Sequence, residues 1–184
     1  MPKKPRILNT ETLARTRLFH VEALELEFSN GVRTHYERLM PPAQGNGAVL
    51  VVPMLDEDTF LMIREYAAGV HRYELTLPKG RVEAGEDFLA AANREMMEEI
   101  GYGANRLEHL SALSLAPGYL GHTTQVVLAR ELYEQKLEGD EPEELEVVPW
   151  RMSELHKLTA CEECTEARTI AALFLTRERL HDGR

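Results

Sequence analysis

The sequence predicts a layered fold of the α/β or α+β type, preceded by a small antiparallel β unit. Three observations carry this. Strand-like and helix-like runs are interspersed along the chain. Ala48–Leu55 is almost entirely apolar, as a central strand covered on both faces must be. Before it, stretches alternating at period two flank Ser29-Asn30-Gly31, and Asn-Gly is a strong hairpin signal.

A chain of 184 residues suits one domain with a small appendage. A chain of this size buries roughly 70% of its unfolded surface, enough to stand without a covalent staple. The net charge of −10 argues against a non-specific nucleic-acid or membrane-surface binder. It also means that an anionic substrate needs a metal and local basic residues to approach. No apolar run approaches transmembrane length. Lys3, Lys4 and Arg6 are not followed by an apolar segment, so they do not read as a secretory signal, and a cytoplasmic location is expected. Cys161 and Cys164 are the only cysteines. One CxxC is half a zinc site, which His156 and His181 would have to complete; the plainer reading is two reduced thiols without a role.

In chain order, residues 1–15 are polar and weakly patterned and read as an arm. Arg17–Glu22 and Ala23–Phe28 alternate, the Asn-Gly turn follows, and Val32–Leu39 returns as the second strand of a hairpin with a thin apolar face. Such a unit is marginal alone and needs a partner surface. Pro41–Gly47 reads as a linker, which divides the chain into an N-terminal unit over 1–45 and a main domain over 46–184. Strands are expected at Ala48–Leu55, Thr59–Tyr66, Tyr73–Leu77, Leu107–Leu115, Thr124–Ala129 and Leu145–Val148. Helices are expected over residues 87–100, 152–158 and 163–180, and Glu138–Glu144, acidic and containing Pro142, is a loop.

The chemistry concentrates between Gly80 and Tyr102. On a helix, Glu95, Glu98 and Glu99 fall at i, i+3 and i+4 and share one face, while Leu89, Ala92, Met96 and Ile100 form an apolar stripe. Crowded carboxylates repel by a few tenths of a kcal/mol per pair, and a hard divalent cation with its preference for oxygen ligands relieves that repulsion. Taken alone, Arg94-Glu95-Met96-Met97-Glu98-Glu99 reads equally well as a solvated acidic face ended by a capping Gly101. The spacing across the whole stretch decides between the two. Gly80 is followed after five residues by Glu86, after seven more by Arg94-Glu95, then by Met96, Glu98-Glu99, Gly101 and Tyr102. This resembles a complete Nudix box, with Tyr102 a less usual choice at its last apolar position.

Outside the box, LEFSNGVRTHYER, Leu61–Tyr66, AANRE, GYGAN and LEGDEPE resemble the ADP-ribose pyrophosphatase branch of the Nudix hydrolases, and within it the NudE-type bacterial enzymes that act on ADP compounds. The resemblance implies an α/β/α sandwich with a mixed sheet. It also implies a homodimer in which the N-terminal strands help to build the partner's site, and metal-assisted hydrolysis of an ADP-linked diphosphate, a small-molecule substrate, with Mg²⁺ (or Mn²⁺). ADP-ribose would give AMP and ribose 5-phosphate.

The same resemblance suggests roles for individual residues. Glu95 and Glu99 are the expected metal ligands, joined by Glu98 and by the backbone carbonyl of Lys79. Arg94 belongs to the catalytic group, pairing with Glu98 one turn on. Gly80 and Gly85 are expected to let the loop turn tightly where side chains would clash, and Glu86 either orients its neighbours or is a plain helix-start acid. Substrate contacts are expected from Tyr36 (adenine stacking), Arg64 (diphosphate), Pro117 and Glu143. The general base is expected to be Glu141, carried on a mobile loop, or else Glu98. The chain departs from the branch at Thr76, Ala67 and Leu120–His122, where acids or an arginine are common. Those departures bear on substrate choice, and NADH, diadenosine polyphosphates or an oxidised nucleotide are the other substrates to weigh. A non-catalytic nucleotide sensor would be expected to lack box carboxylates, and this chain retains all of them.

Overall fold

The apolar run beginning at Ala48 becomes the strand on which both helical layers are built. The computed structural model describes residues 3–41 and 47–182. Along them run β1 (Arg6–Arg15), β2 (His20–Glu27), β3 (Arg33–Met40), β4 (Ala48–Pro53), β5 (Thr59–Ala67), β6 (Arg72–Thr76), β7 (Lys79–Arg81), α1 (Phe88–Glu99), β8 (Tyr102–Ser114), β9 (Thr123–Glu134), β10 (Glu146–Arg151), α2 (Leu155–Leu158) and α3 (Ala167–Asp182). The strands form three sheets, ordered β1-β2-β3, β10-β5-β6 and β7-β4-β9-β8. Within the four-stranded sheet the β4–β9 pairing is parallel and the others are antiparallel, so that sheet is mixed.

Alternation along β4 explains the sandwich. Val49 and Val51 point into a cluster with Ala91, Ala92, Met96 and Ile100 from the α1 segment. Leu50 and Val52 point the other way, into a cluster with Leu158, Ala172 and Leu173 from α2 and α3. All four β4 side chains are fully buried, and each contributes roughly 1.5–3 kcal/mol by leaving water. The α/β/α layering expected from the sequence is therefore present.

Helix α1 begins where Asp87 caps it, its carboxylate accepting from the backbone N–H of Leu89 (3.0 Å) and Ala90 (3.3 Å). It ends at Gly101, whose φ of 75° takes the chain out of the helix. Ala92, Met96 and Ile100 of the expected stripe are buried, and Leu89 packs at its margin.

Three expectations need correction. Residues 6–15 are not an arm but strand β1, paired antiparallel with β2 from Arg6↔Glu27 to Arg15↔His20. The strand lacks an alternating pattern because neither of its faces is covered, with Leu8 alone not fully exposed. Ladder bonds hold it, helped by the Arg6–Glu27 and Thr12–His20 contacts. Next, β8 starts at Tyr102 rather than Leu107, directly off the helix-ending glycine. Finally, Gly80 does not turn; it lies in β7, opposite Val49. The linker expected at Pro41–Gly47 falls largely outside the described residues.

The N-terminal sheet is thin, as expected. Leu24 is its one fully buried apolar residue among those described, while Ile7, Leu13, Leu18, Phe19, Val32 and Tyr36 from this region are exposed. It joins the main body where Leu39 donates to the Tyr119 carbonyl (2.7 Å) and accepts from Gly121 N–H (2.8 Å).

Candidate active site

The carboxylates of α1 open into a cavity of about 410 Å³, lined by Glu95, Glu98 and Glu99 on one side and by the Lys136–Leu145 segment on the other. Helical spacing places the three acids together, and burial then grades them. Glu99 is buried, and Glu95 and Glu98 are partly so.

One guanidinium organises the rim. Arg94 Nε donates to Glu86 Oε1 (3.0 Å), Nη2 to Glu86 Oε2 (3.1 Å) and to the Arg81 carbonyl (2.9 Å), and Nη1 to Glu98 Oε2 (3.0 Å). The same Nη1 lies 2.9 Å from Glu95 Oε1. Arg94 thus orders three glutamates, and the i+4 pairing with Glu98 is present. Its bond to both oxygens of Glu86 gives that residue an orienting part and holds the Glu86 carboxyl below its ordinary range, against the opposing pull of burial. The helix-start acid is instead Asp87.

Glu99 is handled differently. Its Oε2 accepts the Lys79 backbone N–H at 2.9 Å. Burial drives its carboxyl up to about 8, Lys79 opposes this, and Glu95 and Glu65 add repulsion. Glu95 is also raised, first by burial, with Arg94 opposing. The Lys79 side chain turns to Glu65 and lies 3.4 Å from Thr76 Oγ1.

Gly80 has a specific steric reason. A Cβ at this position would stand 1.9 Å from the Glu95 carboxyl carbon and 2.1 Å from both of its oxygens. Only glycine lets strand β7 lie directly beneath that carboxylate.

Glu141 and Glu143 line the same cavity, opposite α1. Glu141 is pushed upward by partial burial, then by Glu65 and Asp140, with Lys79 opposing. Glu143 accepts the Tyr73 hydroxyl at 2.8 Å. The structure therefore gathers Glu95, Glu98, Glu99, Glu141 and Glu143, with Lys79 and Arg94 at the edge. Tyr36, Arg64 and Pro117 are not among the lining residues. Tyr36 is exposed on β3, 6.4 Å ring to ring from Phe28. Pro117 is exposed in a turn closed by Leu120 N–H on the Ala116 carbonyl (2.7 Å). Arg64 is engaged by Glu146 (2.8 Å) and Glu163 (2.5 Å).

Residues 46–173 match the family described as "NUDIX domain", and residues 5–38 match "NudE-type Nudix hydrolase N-terminal domain". The chain belongs to the Nudix hydrolase family. It is 49% identical over 178 residues to the ADP compounds hydrolase NudE of Escherichia coli (strain K12), a match covering 97% of this chain and 94% of that protein. It is 31% identical over 173 residues to the ADP-ribose pyrophosphatase of Bacillus subtilis (strain 168), covering 90% and 91%. A crystal structure of an ADP compounds hydrolase superposes with a TM-score of 0.91 at 48% identity, covering all of this chain and 97% of that one.

Nudix hydrolases use divalent metal, and the box of this chain fits one chemically. The donors are hard carboxylate oxygens, the Glu95 carboxylate occupies the room that a side chain at position 80 would take, and buried Glu99 is short of positive partners. Among the described residues no three Asp, Glu, His or Cys side chains are already drawn together as a metal cage, the CxxC included. Glu95 and Glu98 are drawn instead onto Arg94.

Three Nudix-site neighbours escaped the sequence reading. Glu65 was legible in principle, because it continues the parity of Leu61 and Ile63 on β5, the two residues that face the α1 layer. Lys136, which donates to the Glu98 carbonyl (2.7 Å), and Tyr73 depend on a loop meeting distant elements and leave no local pattern.

Proposed function

We propose that this protein hydrolyses the diphosphate linkage of ADP-containing compounds, ADP-ribose giving AMP and ribose 5-phosphate. The observation that carries this is the facing arrangement of the α1 carboxylates and the Lys136–Leu145 segment across one cavity. Near full-length similarity to a hydrolase of ADP compounds supports the substrate class.

Glu95, Glu98, Glu99 and the carbonyl of Lys79 would hold Mg²⁺, with Mn²⁺ able to replace it. When bound, the metal supplies charge neutralisation for the diphosphate and acidifies water. Glu141 takes the proton of the attacking water; partial burial and the neighbouring acids Glu65 and Asp140 raise its carboxyl, which strengthens it as a base. A new P–O bond forms, the anhydride P–O bond breaks, and the phosphate of the leaving half departs with those electrons. Glu98, already committed to Arg94, is the weaker choice for that proton. Arg94 keeps the box carboxylates in register.

The remaining contacts are assigned on the family resemblance: Tyr36 to adenine, Arg64 to the diphosphate, and Pro117 and Glu143 to the substrate's surroundings. We assign Tyr36 to the site of a partner subunit in a homodimer formed through residues 1–45. The exposed apolar residues of that sheet support this. We place the protein in the cytoplasm, in keeping with two free cysteines. Among the described residues no helix is long and apolar enough to cross a membrane.

The test is product analysis with Mg²⁺ on ADP-ribose, NADH, diadenosine triphosphate and 8-oxo-dGTP. AMP with ribose 5-phosphate, formed fastest from ADP-ribose or another ADP compound, is the expected outcome. Intact ADP compounds beside a hydrolysed 8-oxo-dGTP would overturn the reading.

A further inference from the structure

A run of acidic residues spreads apart in solution unless something holds it. The loop facing α1 is held at both ends. At its start, Leu137 N–H donates to the Met97 carbonyl (3.0 Å) and Lys136 Nζ to the Glu98 carbonyl (2.7 Å). At its end, Leu145 packs against the α1-side core and Glu146 enters the β10–β5 ladder. Between these anchors the loop makes one further attachment among the described residues, from a strand outside the box. Tyr73 on β6 donates its hydroxyl to Glu143 Oε1 at 2.8 Å.

Tyr73 is well placed for this. Its ring meets Tyr66 on β5 edge to face, with centroids 5.7 Å apart and planes at 68°. Tyr66 in turn is hydrogen-bonded through its hydroxyl to Nδ1 of His71, which sits at φ 55° in the hairpin turn. That turn is closed by His71 N–H on the Ala67 carbonyl (2.8 Å). The hydrogen bond to Glu143 also raises the Tyr73 phenol, so it remains a donor across the neutral range. On the loop side, Pro142 stands between Glu143 and Glu141. Its fixed φ makes the link between the two glutamates stiff.

We propose that Tyr73 is a positioning residue for hydrolysis: through Glu143 and the rigid Pro142 it holds the acidic loop across the cavity, so that Glu141 faces the α1 carboxylates. The proposal rests on the reading of Glu141 as the base. Tyr73 is not among the residues lining the cavity and acts only through the loop.

Tyr73→Phe in the full chain removes the hydroxyl and keeps the ring contact with Tyr66. With ADP-ribose and Mg²⁺, kcat should fall roughly tenfold while KM stays within about twofold, since misplacing a catalytic group affects the reacting geometry more than ground-state binding. Glu143→Ala, which also removes a group lining the cavity, should lose at least as much, and the double variant should lose no more than Glu143→Ala alone, because Tyr73 acts through that contact. Amide hydrogen exchange should quicken over residues 138–145 in Tyr73→Phe and stay unchanged over α1, a readout independent of activity. Wild-type kcat together with wild-type exchange in Tyr73→Phe, or additive losses in the double variant, would overturn the proposal. Glu141→Gln is measured alongside. If it turns over like wild type, the reading of Glu141 fails and the role of Tyr73 fails with it. If it is inactive while Tyr73→Phe is normal, only the role of Tyr73 fails.

Discussion

Two glutamates are buried among the described residues, to nearly the same depth, and they are built in opposite ways. Glu74 on β6 is 3% exposed and Glu99 on α1 is 6% exposed. Glu74 accepts the Thr165 N–H (3.0 Å), the Thr165 hydroxyl (3.0 and 3.1 Å) and the Arg72 guanidinium (2.5 Å). Burial alone would raise its pKa, but those donors together outweigh burial and hold it below the ordinary carboxylate range. Glu99 has the Lys79 N–H, faces two other acids, and is pushed up to about 8, with burial the main cause. Glu74 is a finished structural joint between β6 and the segment leading into α3. Glu99 is left short of partners by the fold itself, which supports its proposed role as a metal ligand. Burial of a charge therefore does not identify a functional group; the missing partner does.

The largest expected effect separates the two by activity. Glu99→Gln keeps the shape and removes the charge, so kcat on ADP-ribose with Mg²⁺ should fall at least about a hundredfold, as expected for loss of a metal ligand. Its urea midpoint without metal should equal or exceed that of wild type, because a poorly solvated charge has gone. Steady-state kinetics and urea titration measure both. Turnover within twofold of wild type would remove Glu99 from the metal site and break the comparison.

The reverse pattern is expected at the other glutamate. Glu74→Ala strips Thr165 and Arg72 of their shared acceptor and should cost about 1.5–3 kcal/mol of stability, the range for hydrogen bonds to a charged group. Turnover per folded molecule should stay within about threefold of wild type. Urea unfolding followed by tryptophan fluorescence reports the first, through Trp150, the single tryptophan. A stable variant with abolished turnover would show that Glu74 belongs to the chemistry after all.

How much of this contrast was legible in the sequence depends on how local its causes are. The box carboxylates and the Arg94–Glu98 pair lie within one helix, so spacing alone placed them on one face. The buried β4 strand was legible from its composition, because burial on both faces leaves no room for polar residues. Strand β1 was not legible, since an uncovered strand is under no pressure to alternate. A clash at Gly80 was foreseen, though in a turn rather than a strand; its partner is Glu95, which lies fifteen residues further on and meets Gly80 only after folding. Glu74 stands inside an expected strand, and nothing in the sequence marks its part. Its partner Thr165 is supplied by a segment across the fold, and no local pattern announces such a pairing.

The last expected effect is also the sharpest, because the two glutamates should give stability slopes of opposite sign against pH. Glu74 has a folded pKa below its ordinary value of 4.5. Between the two values the folded state binds fewer protons than the unfolded state, so stability rises with pH. The advantage of wild type over Glu74→Gln is complete above about pH 4.5 and disappears as pH falls through the folded value. Glu99 has a folded pKa raised from 4.5 to about 8. Between those values the folded state binds more protons, so metal-free stability falls as pH rises, and the cost is complete above about pH 8. The metal-free Glu99→Gln variant should therefore gain on wild type from about pH 5 to about pH 8. Urea unfolding in a chelating buffer at those two pH values measures the gap. Adding Mg²⁺ should close or reverse it at the higher pH, because the cation binds folded wild type and stabilises it by mass action. Equal slopes for wild type and Glu99→Gln would show that Glu99 is already satisfied within the fold, and the distinction between a finished and an unfinished carboxylate would then fail at its own site.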